Sequence, residues 1–486
     1  MRFFLFFCAL NPLADEKELL SFFSSTFMTW QLIKDSFLGK EMDFTRLPLK
    51  TAIFMLALPM ILEMVMESAF AIVDIFFVAK LGENAIATVG LTESVIVLTY
   101  ALGFGFNMAA TALVSRRFGE KNYQEAGSAT FQLLLVGALL SIGLGILGWT
   151  FASDLLRLMG ANEQIIESGS SYSKIVFAGN TAILLLFLCN GAFRGAGQAH
   201  HAMRTLMIAN GLNMVLDPLF IFGFGSWQGF GLEGAAIATT FGRSMGVLYQ
   251  LYHLFNGKHK LKILSENIAL SWETIQKIVV LSLGGMGQSL IDSLSWVALT
   301  RMNAEFGSAA LAGYTIAFRV LIFTILPAWG LSGAAATLVG QNLGAQKTKR
   351  AELAVWLTVR YNVIFMASVT GIYLLFSKQL VGLFTRIPEV VEVASQGLWV
   401  IALGYVFFAI GMVLTQAFNG AGDTKTPAWI NAVVLLGLEV PLAYLLAFSL
   451  ELGFIGIFIA IAICHSFHAL VSLYFFRKGK WKLNQV

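Results

Sequence analysis

From Pro48 nearly to the end of the chain, long apolar runs alternate with short polar joints. Twelve runs can be delimited, over residues 49–79, 85–115, 124–151, 164–193, 201–224, 230–256, 273–303, 308–340, 348–376, 390–418, 426–449 and 453–476. Each exceeds the roughly 20 residues that an α-helix needs to cross about 30 Å of hydrocarbon. Several are long enough to tilt or protrude. The pattern predicts an all-α integral membrane protein of about 12 transmembrane helices. Upstream, Trp30, Ile33 and Phe37 fall on one face with Lys34 and Lys40 beside them, which predicts a short helix lying on the membrane surface. The first residues read differently. Arg2 and the run Phe3–Leu10 resemble the beginning of a signal peptide, but the run is too short to span and a polar stretch without a clear cleavage site follows. Met1, Met28 and Met42 compete as start positions, and residues 1–27 are set aside from the fold.

Composition agrees with the pattern. The 486 residues are 57% hydrophobic and only 12% charged, where a soluble domain carries roughly 25% charged residues. The net charge of +4 is small and gives no reason to expect a nucleic-acid partner. Its distribution is more informative. Arg116, Arg117, Lys121, Arg194, Arg204, Lys258, Lys260, Lys262, Lys347, Lys349, Arg350 and Lys425 lie in joints on one side, joined by Arg477, Lys478, Lys480 and Lys482 in the tail. The other side holds mainly Lys80, Arg157, Arg301, Lys378 and Arg386. By the positive-inside bias, both termini are expected in the cytoplasm, with the protein in a bacterial-type plasma (inner) membrane. Cys8, Cys189 and Cys464 are scattered through apolar surroundings and suggest neither a disulfide framework nor a metal site. No spacing of His, Cys and carboxylates suggests a metal, and no nucleophile constellation emerges.

An internal repeat organises the chain. Lys80-Leu-Gly-Glu-Asn-Ala-Ile-Ala87 lines up with Glu305-Phe-Gly-Ser-Ala-Ala-Leu-Ala312, and Ala109-Ala-Thr-Ala-Leu-Val114 with Ala334-Ala-Ala-Thr-Leu-Val339. Gly119 then meets Gly344, and Arg194-Gly-Ala-Gly197 meets Asn419-Gly-Ala-Gly422, all at one offset of about 225 residues. Six helices return the chain to its starting side, so two pseudo-symmetric six-helix bundles form a 6+6 parallel repeat about an axis along the membrane normal. The expected divisions are a tail with the surface helix (1–47), a first lobe (48–257), a cytoplasmic linker (258–272), a second lobe (273–478) and a terminal tail (479–486).

Acidic residues inside this apolar frame are the candidate chemistry. Glu63, Glu67 and Asp74 lie on the first helix and, at about 100° per residue, stay within roughly 60° of one another. A charge at the centre of a spanning helix costs about 2.5–3.5 kcal/mol, so the stripe must face protein or a water-filled cavity. Some of the three can equally well hold a basic or hydroxyl partner in a packed core. Glu63 sits deeper toward the cytoplasm and ranks lower. Glu67 and Asp292 are repeat mates, each 15 residues before its glycine, Gly82 or Gly307. They lie near mid-membrane, where they can line a cavity between the lobes, although a structural hydrogen bond serves nearly as well for Glu67. Asp217-Pro218 either manages a kink, since Pro218 frees the Met214 carbonyl, or binds an ion, and both roles can coexist. Glu439-Val-Pro441 echoes this break and is a weaker candidate. Met60, Met64 and Met66 fit packing or an adaptable substrate wall.

Leu58-Pro59, Val73-Asp74, Arg194-Gly-Ala-Gly197, Leu216-Asp-Pro218 and Asn419-Gly-Ala-Gly-Asp-Thr-Lys-Thr-Pro427, in that order within a six-plus-six repeat, resemble the multidrug and toxic compound extrusion (MATE) family of the multidrug/oligosaccharide-lipid/polysaccharide flippase superfamily. The resemblance covers about residues 45–478. It implies efflux of cationic amphiphiles or toxic organic compounds in exchange for H+ or Na+. By the same resemblance Asp74, Asn213, Asp217 and Thr239 match the family's first-lobe ion-coupling site. Asp292 matches a position that carries a glutamate in the sodium-coupled NorM-like branch. That branch has a further aspartate on helix ten, where this chain is apolar around Phe408.

The resulting expectation is a secondary antiporter, not an enzyme, working without a cofactor and as a monomer in the lipid bilayer. Its coupling site is Asp74, Asn213, Asp217 and Thr239, with no metal beyond Na+ there; Glu67 and Asp292 form the substrate cavity or a second ion site. A lipid-linked saccharide flippase of the same superfamily is the alternative, and a basic cavity lining would favour it. An intramembrane aspartyl enzyme built on Asp74 and Asp217 is more remote, since nothing in the sequence positions a substrate.

Overall fold

The structure is a computed structural model that describes residues 30–484; the signal-like stretch at 1–27 lies outside them. Helix α1 (Trp30–Leu38) is followed by α2 (Leu49–Val78), α3 (Glu83–Gly119) and α4 (Tyr123–Thr150). A short α5 (Ala152–Leu158) precedes α6 (Glu163–Ala178) and α7 (Asn180–Gly195), and α8 (Ala199–Phe222) and α9 (Leu232–Phe255) complete the first half. The second half holds α10 (Trp272–Ala304), α11 (Ser308–Gly344), α12 (Thr348–Gly382) and α13 (Pro388–Gly420). Its last two rods are one that begins as α14 (Lys425–Asn431), continues through α15 (Val440–Tyr444) and ends at Ser449, and α16 (Phe454–Lys478). With α6 and α7 taken together as one rod (Glu163–Gly195) and the eleventh rod as Lys425–Ser449, ten spans among the described residues are long and apolar enough to cross a membrane by length and composition. The other two, α2 and α9, have 30 and 24 residues, which at about 1.5 Å per residue also suffices to span.

Local chemistry explains most of the boundaries. Asn122 and Asn162 cap α4 and α6 through side-chain oxygens that accept from Glu125 N (3.1 Å) and Ile165 N (2.8 Å). The single run expected at 164–193 is broken at Gly179, where a Cβ would sit 2.6 Å from Thr240 Oγ1 on α9. Only glycine lets those two helices approach so closely. The run expected to end at 376 does so in substance, because Phe376 leaves helical geometry (φ −126°, ψ 17°) before one more turn. Between Asn431 and Ser449 the eleventh rod is π-helical on both sides of α15. Pro441 lies in this stretch, where its missing N–H and its ring disturb the ordinary hydrogen-bond ladder.

Pro59 shows how such a disturbance is compensated. Inside α2 it deprives the Met55 carbonyl of its helical donor, and the Ser36 hydroxyl of α1 donates to that oxygen at 3.1 Å. The amphipathic helix is thus docked on the first spanning helix, with Phe37 and Leu38 left exposed.

The repeat is visible in the backbone. The helices α3 and α11 each have 37 residues. Positive φ recurs at repeat-mate positions: Gly82 and Gly307 (104° and 93°), Lys121 and Gln346 (61° and 57°), and Gly197 and Gly422 (79° and 80°). The same turns close the same helices in both halves.

Contact between the halves is concentrated at the side that carries the basic joints. A Cβ on Gly119 would lie 2.0 Å from Gln341 O, one on Gly330 2.6 Å from Met60 O, and one on Gly105 2.3 Å from Ser282 O. Gln341 Nε2 donates to Gly195 O at 2.9 Å, and Thr337 Oγ1 to Arg194 O at 3.0 Å. The terminal tail folds back onto the same face. Trp481 is fully buried against Phe476, with ring centroids 4.8 Å apart, and Arg116 donates to the Asn484 carbonyl. Gly119→Ala is therefore expected to weaken this closure by about 1–3 kcal/mol, the usual cost of overpacking. Labelling a cysteine introduced by Ser115→Cys beside Gly340 should become faster in the alanine background. Equal rates would mean that the helices give way locally and the closure does not depend on the missing side chain.

Candidate functional site: two apolar cavities with buried acidic groups

Two cavities lie where the halves meet, one mainly on the first-half side and one mainly on the second-half side. The first, about 210 Å³, is lined by Glu67, Tyr100, Phe104, Met108, Arg243 and Trp329 among others, with Met60 and Met64 on its wall. The second, about 300 Å³, takes in Asp292, Glu439, His465 and His468. Phe104 and Trp329 border both cavities. Their rings stack at 5.5 Å with only 7° between planes, forming an aromatic partition where the halves meet. The repeat mates Glu67 and Asp292 thus line different cavities, one on either side of this partition.

The three carboxylates of the first helix divide into different environments. Glu63 is fully buried. It accepts from Arg194 Nη2 at 2.5 Å and Nε at 3.2 Å, and from Asn190 Nδ2 at 3.0 Å. Gln250 Nε2 in turn donates to Asn190 Oδ1 at 2.5 Å. One repeat later the same two positions hold Gln288 and Asn419, whose side-chain amides exchange hydrogen bonds of 3.0 and 3.2 Å. An ion pair in one half thus corresponds to a neutral amide pair in the other. That equivalence points to a structural requirement for a matched pair, the role held open for this stripe from the sequence. Glu67 faces the first cavity, and Asp74 is half-buried farther along α2.

Close packing of α8 against α9 builds the next group. Gly234 and Gly242 lie where a Cβ would meet Phe220 O (2.2 Å) and Ala209 O (2.6 Å), so the two backbones nearly touch. Thr239 Oγ1 is thereby brought to 3.0 Å from Asn213 Nδ2, which also donates to Asp217 Oδ1 at 3.0 Å. Asn213 and Asp217 lie one turn apart on α8 and are almost fully buried. Two of their oxygens, Asp217 Oδ2 and Asn213 Oδ1, have no hydrogen-bond donor. Such groups are seldom left unsatisfied in an apolar interior. Asp74 is close enough for its charge to act on Asp217. The structure thus links Asn213, Asp217 and Thr239 by hydrogen bonds and sets Asp74 within electrostatic reach of them.

Two charged neighbours escaped the sequence reading. Arg243, one turn beyond Thr239, donates to Tyr100 Oη at 3.1 Å and lies 5.5 Å from the centroid of the Phe70 ring. Its charge acts on Asp74 and on Glu93 of α3, and Asp74 in turn acts on Glu93. Both residues lie within the expected spans, so the signal that flagged Asp74, an ionisable side chain at membrane depth, applied to them too. With Arg194 engaged by Glu63, the remaining first-half group holds four carboxyls (Glu67, Asp74, Glu93 and Asp217) against the single guanidinium of Arg243.

The second half also contains more polar chemistry than its helix-ten position suggested. Phe408 is indeed apolar and packs edge-on against His465, with ring centroids 4.8 Å apart. Polar partners for Asp292 arrive from the last two rods instead. Asn431 Nδ2 donates to Asp292 Oδ1 at 2.9 Å, and Asn431 Oδ1 lies 2.9 Å from His468 Nε2. Glu439, ranked low from sequence, is buried; it accepts from Ser295 Oγ at 2.8 Å and has His465 Nε2 at 3.8 Å. The π-helical eleventh rod thus brings a second carboxyl within electrostatic reach of Asp292, 147 residues later in the chain. Of the cysteines, Cys189 and Cys464 are buried free thiols.

Comparison with known proteins connects this architecture to a family. A family model described as MatE matches the chain twice, over residues 59–219 and 286–445, once per half. The probable multidrug resistance protein NorM of Thermotoga maritima is 25% identical over 433 residues, 89% of this chain and 93% of that protein. The FAD transporter of Shewanella oneidensis is 25% identical over 398 residues, 82% of this chain and 88% of its own length. Among solved structures, the outward-facing conformation of a multidrug resistance MATE family transporter superposes with a TM-score of 0.86 at 26% identity, covering 92% of this chain and 99% of that one. The family model covers most of the spanning region in two copies, and the chain belongs to the multidrug and toxic compound extrusion (MATE) family of multi-pass membrane transporters.

Proposed function

We propose that this chain is a secondary antiporter that exports cationic or amphiphilic organic compounds in exchange for H+ or Na+, with the ion handled at Asp74, Asn213, Asp217 and Thr239. The supporting observation is the pair of buried acceptor oxygens without donors, Asp217 Oδ2 and Asn213 Oδ1. A proton on the carboxylate removes its charge, and a sodium ion between the oxygens gives both a ligand. An oxygen-only donor set suits a hard cation and offers little to a soft one. Competition follows from charge. Asp74 and Asp217 close together do not both ionise cheaply in an apolar bundle, so an organic cation entering beside them displaces the inorganic one.

The cargo class rests on the lining. The first cavity is lined by Glu63 and Glu67 and by Arg194 and Arg243, with Arg194 paired to Glu63, whereas Asp292 and Glu439 face a second cavity that no Lys or Arg among the described residues lines. Apolar walls of Phe, Trp and Met suit the hydrophobic body of an amphiphile, and the methionines adapt to varied shapes. A saccharide-lipid pyrophosphate would call for a basic lining instead. We assign the basic joints and both termini to the cytoplasm of a bacterial-type inner membrane. Contact between the halves is then concentrated at the cytoplasmic side, and the divisions at 48–257 and 273–478 serve as the two rocking lobes.

The test is drug uptake into inverted vesicles with a sodium gradient and a pH gradient imposed separately. One gradient should drive accumulation of ethidium or norfloxacin, and Asp292→Asn should weaken uptake without loss of protein from the membrane. Uptake indifferent to both gradients would overturn antiport. Unchanged kinetics in Asp292→Asn would return that residue to a structural role.

A further inference from the structure

On the face that carries the basic joints, away from both cavities, three histidines converge from separate parts of the chain. His201 is in the first turn of α8, His253 in the last turn of α9, and His259 in the segment joining the halves. One nitrogen from each lies within 4.8 Å of the other two. His253 Nδ1 and His259 Nε2 are 3.2 Å apart, close to the spacing of two imidazoles on one tetrahedral zinc ion, about 3.3 Å for metal–nitrogen bonds of 2.0 Å. A hydrogen bond between the rings also accounts for that distance. It does not account for His201, whose side chain is almost fully buried and whose Nε2 has no partner.

We propose that His201, His253 and His259 form a binding site for a divalent transition-metal ion of the zinc type. The surroundings of the trio suit that role. Tyr249 Oη lies 3.2 Å from His201 Nδ1; with the N–H on that nitrogen, the lone pair sits on the orphaned Nε2. His259 Nδ1 lies 3.5 Å from Glu41 Oε1, the carboxylate–imidazole arrangement that orients and polarises metal-binding histidines. A donor set of three imidazole nitrogens matches zinc, cobalt or nickel in preference to magnesium or calcium. His200 packs against His201 with its ring tilted, 4.2 Å between centroids, and walls the site. Arg204 is nearby but is occupied by the Phe37 carbonyl at 2.6 Å. His253 and His259 are partly exposed, which leaves an entry path. An ion held here ties the ends of α8 and α9 to the joining segment, and through Glu41 to the stretch before α2.

The experiment uses full-length, tag-free protein in detergent, stripped with EDTA and titrated with CoCl2 and then ZnCl2. One equivalent of cobalt should give the intense visible bands of a four-coordinate site, and zinc should bleach them. His253→Ala and His259→Gln should each weaken binding at least 100-fold, and Glu41→Gln about 10-fold. Both histidine positions are partly exposed, so the metal-free variants should keep the parent's gel-filtration profile, which His201→Ala in the core need not. Absence of a saturable equivalent at micromolar metal would overturn the site. So would stoichiometric binding that survives both histidine substitutions.

Discussion

Arg194→Asn is expected to destabilise the protein by about 3–5 kcal/mol, because it strands the Glu63 carboxylate in a fully buried position with only Asn190 as a donor. The repeat makes the prediction specific. Gln288 and Asn419 occupy the same two positions in the second half and satisfy each other without charge. The double substitution Glu63→Gln with Arg194→Asn copies that pair into the first half and should recover most of the loss. Glu63→Gln alone should do less harm, since Arg194 keeps about a fifth of its side-chain surface exposed (19%) and can find water. Thermal unfolding in detergent across the four proteins forms a double-mutant cycle. A double variant as unstable as Arg194→Asn would mean that the charges themselves are required. Transport driven by the ion gradient should follow stability in this series, because the proposed ion site at Asp74, Asn213, Asp217 and Thr239 is separate from the pair; Glu63 and Arg194 line the cavity, so drug affinity is the property free to shift.

Asp217→Asn should have the larger functional effect. The amide keeps the shape of the side chain and can still bond Asn213, so the protein should reach the membrane in normal amount. It cannot exchange a proton or offer a charged oxygen, and gradient-driven drug efflux should fall to background. Drug binding in the absence of a gradient should persist, since the cavity lining is untouched. Asp74→Asn, acting on the same group through its charge, is expected to abolish driven efflux as well, whereas Asn213→Ala should raise the ion concentration needed for half-maximal transport. Full gradient-dependent transport by Asp217→Asn would remove this carboxylate from the coupling step and leave it the task of managing the Pro218 break.

The amino-acid order alone determined the spanning runs, their repeat and the presence of acids at membrane depth. Those properties are local or periodic: an apolar run reports its solvent, and a constant offset reports duplication. Even the interruptions were partly legible, since Pro441 signals the disturbed eleventh rod and the apolar run ends at the Phe376 kink, although the break at Gly179 was not. What each acid does was left to the tertiary structure. Glu63 and Asp74 look alike along α2, yet the former is neutralised by a partner 131 residues away while the latter faces Asp217 and Arg243. Asp292 finds its amide donor 139 residues later, and His201 its neighbours across two helices and a joint. The cost of a buried charge falls on wherever the helices meet, and hydropathy along one helix carries no record of which side chain stands opposite.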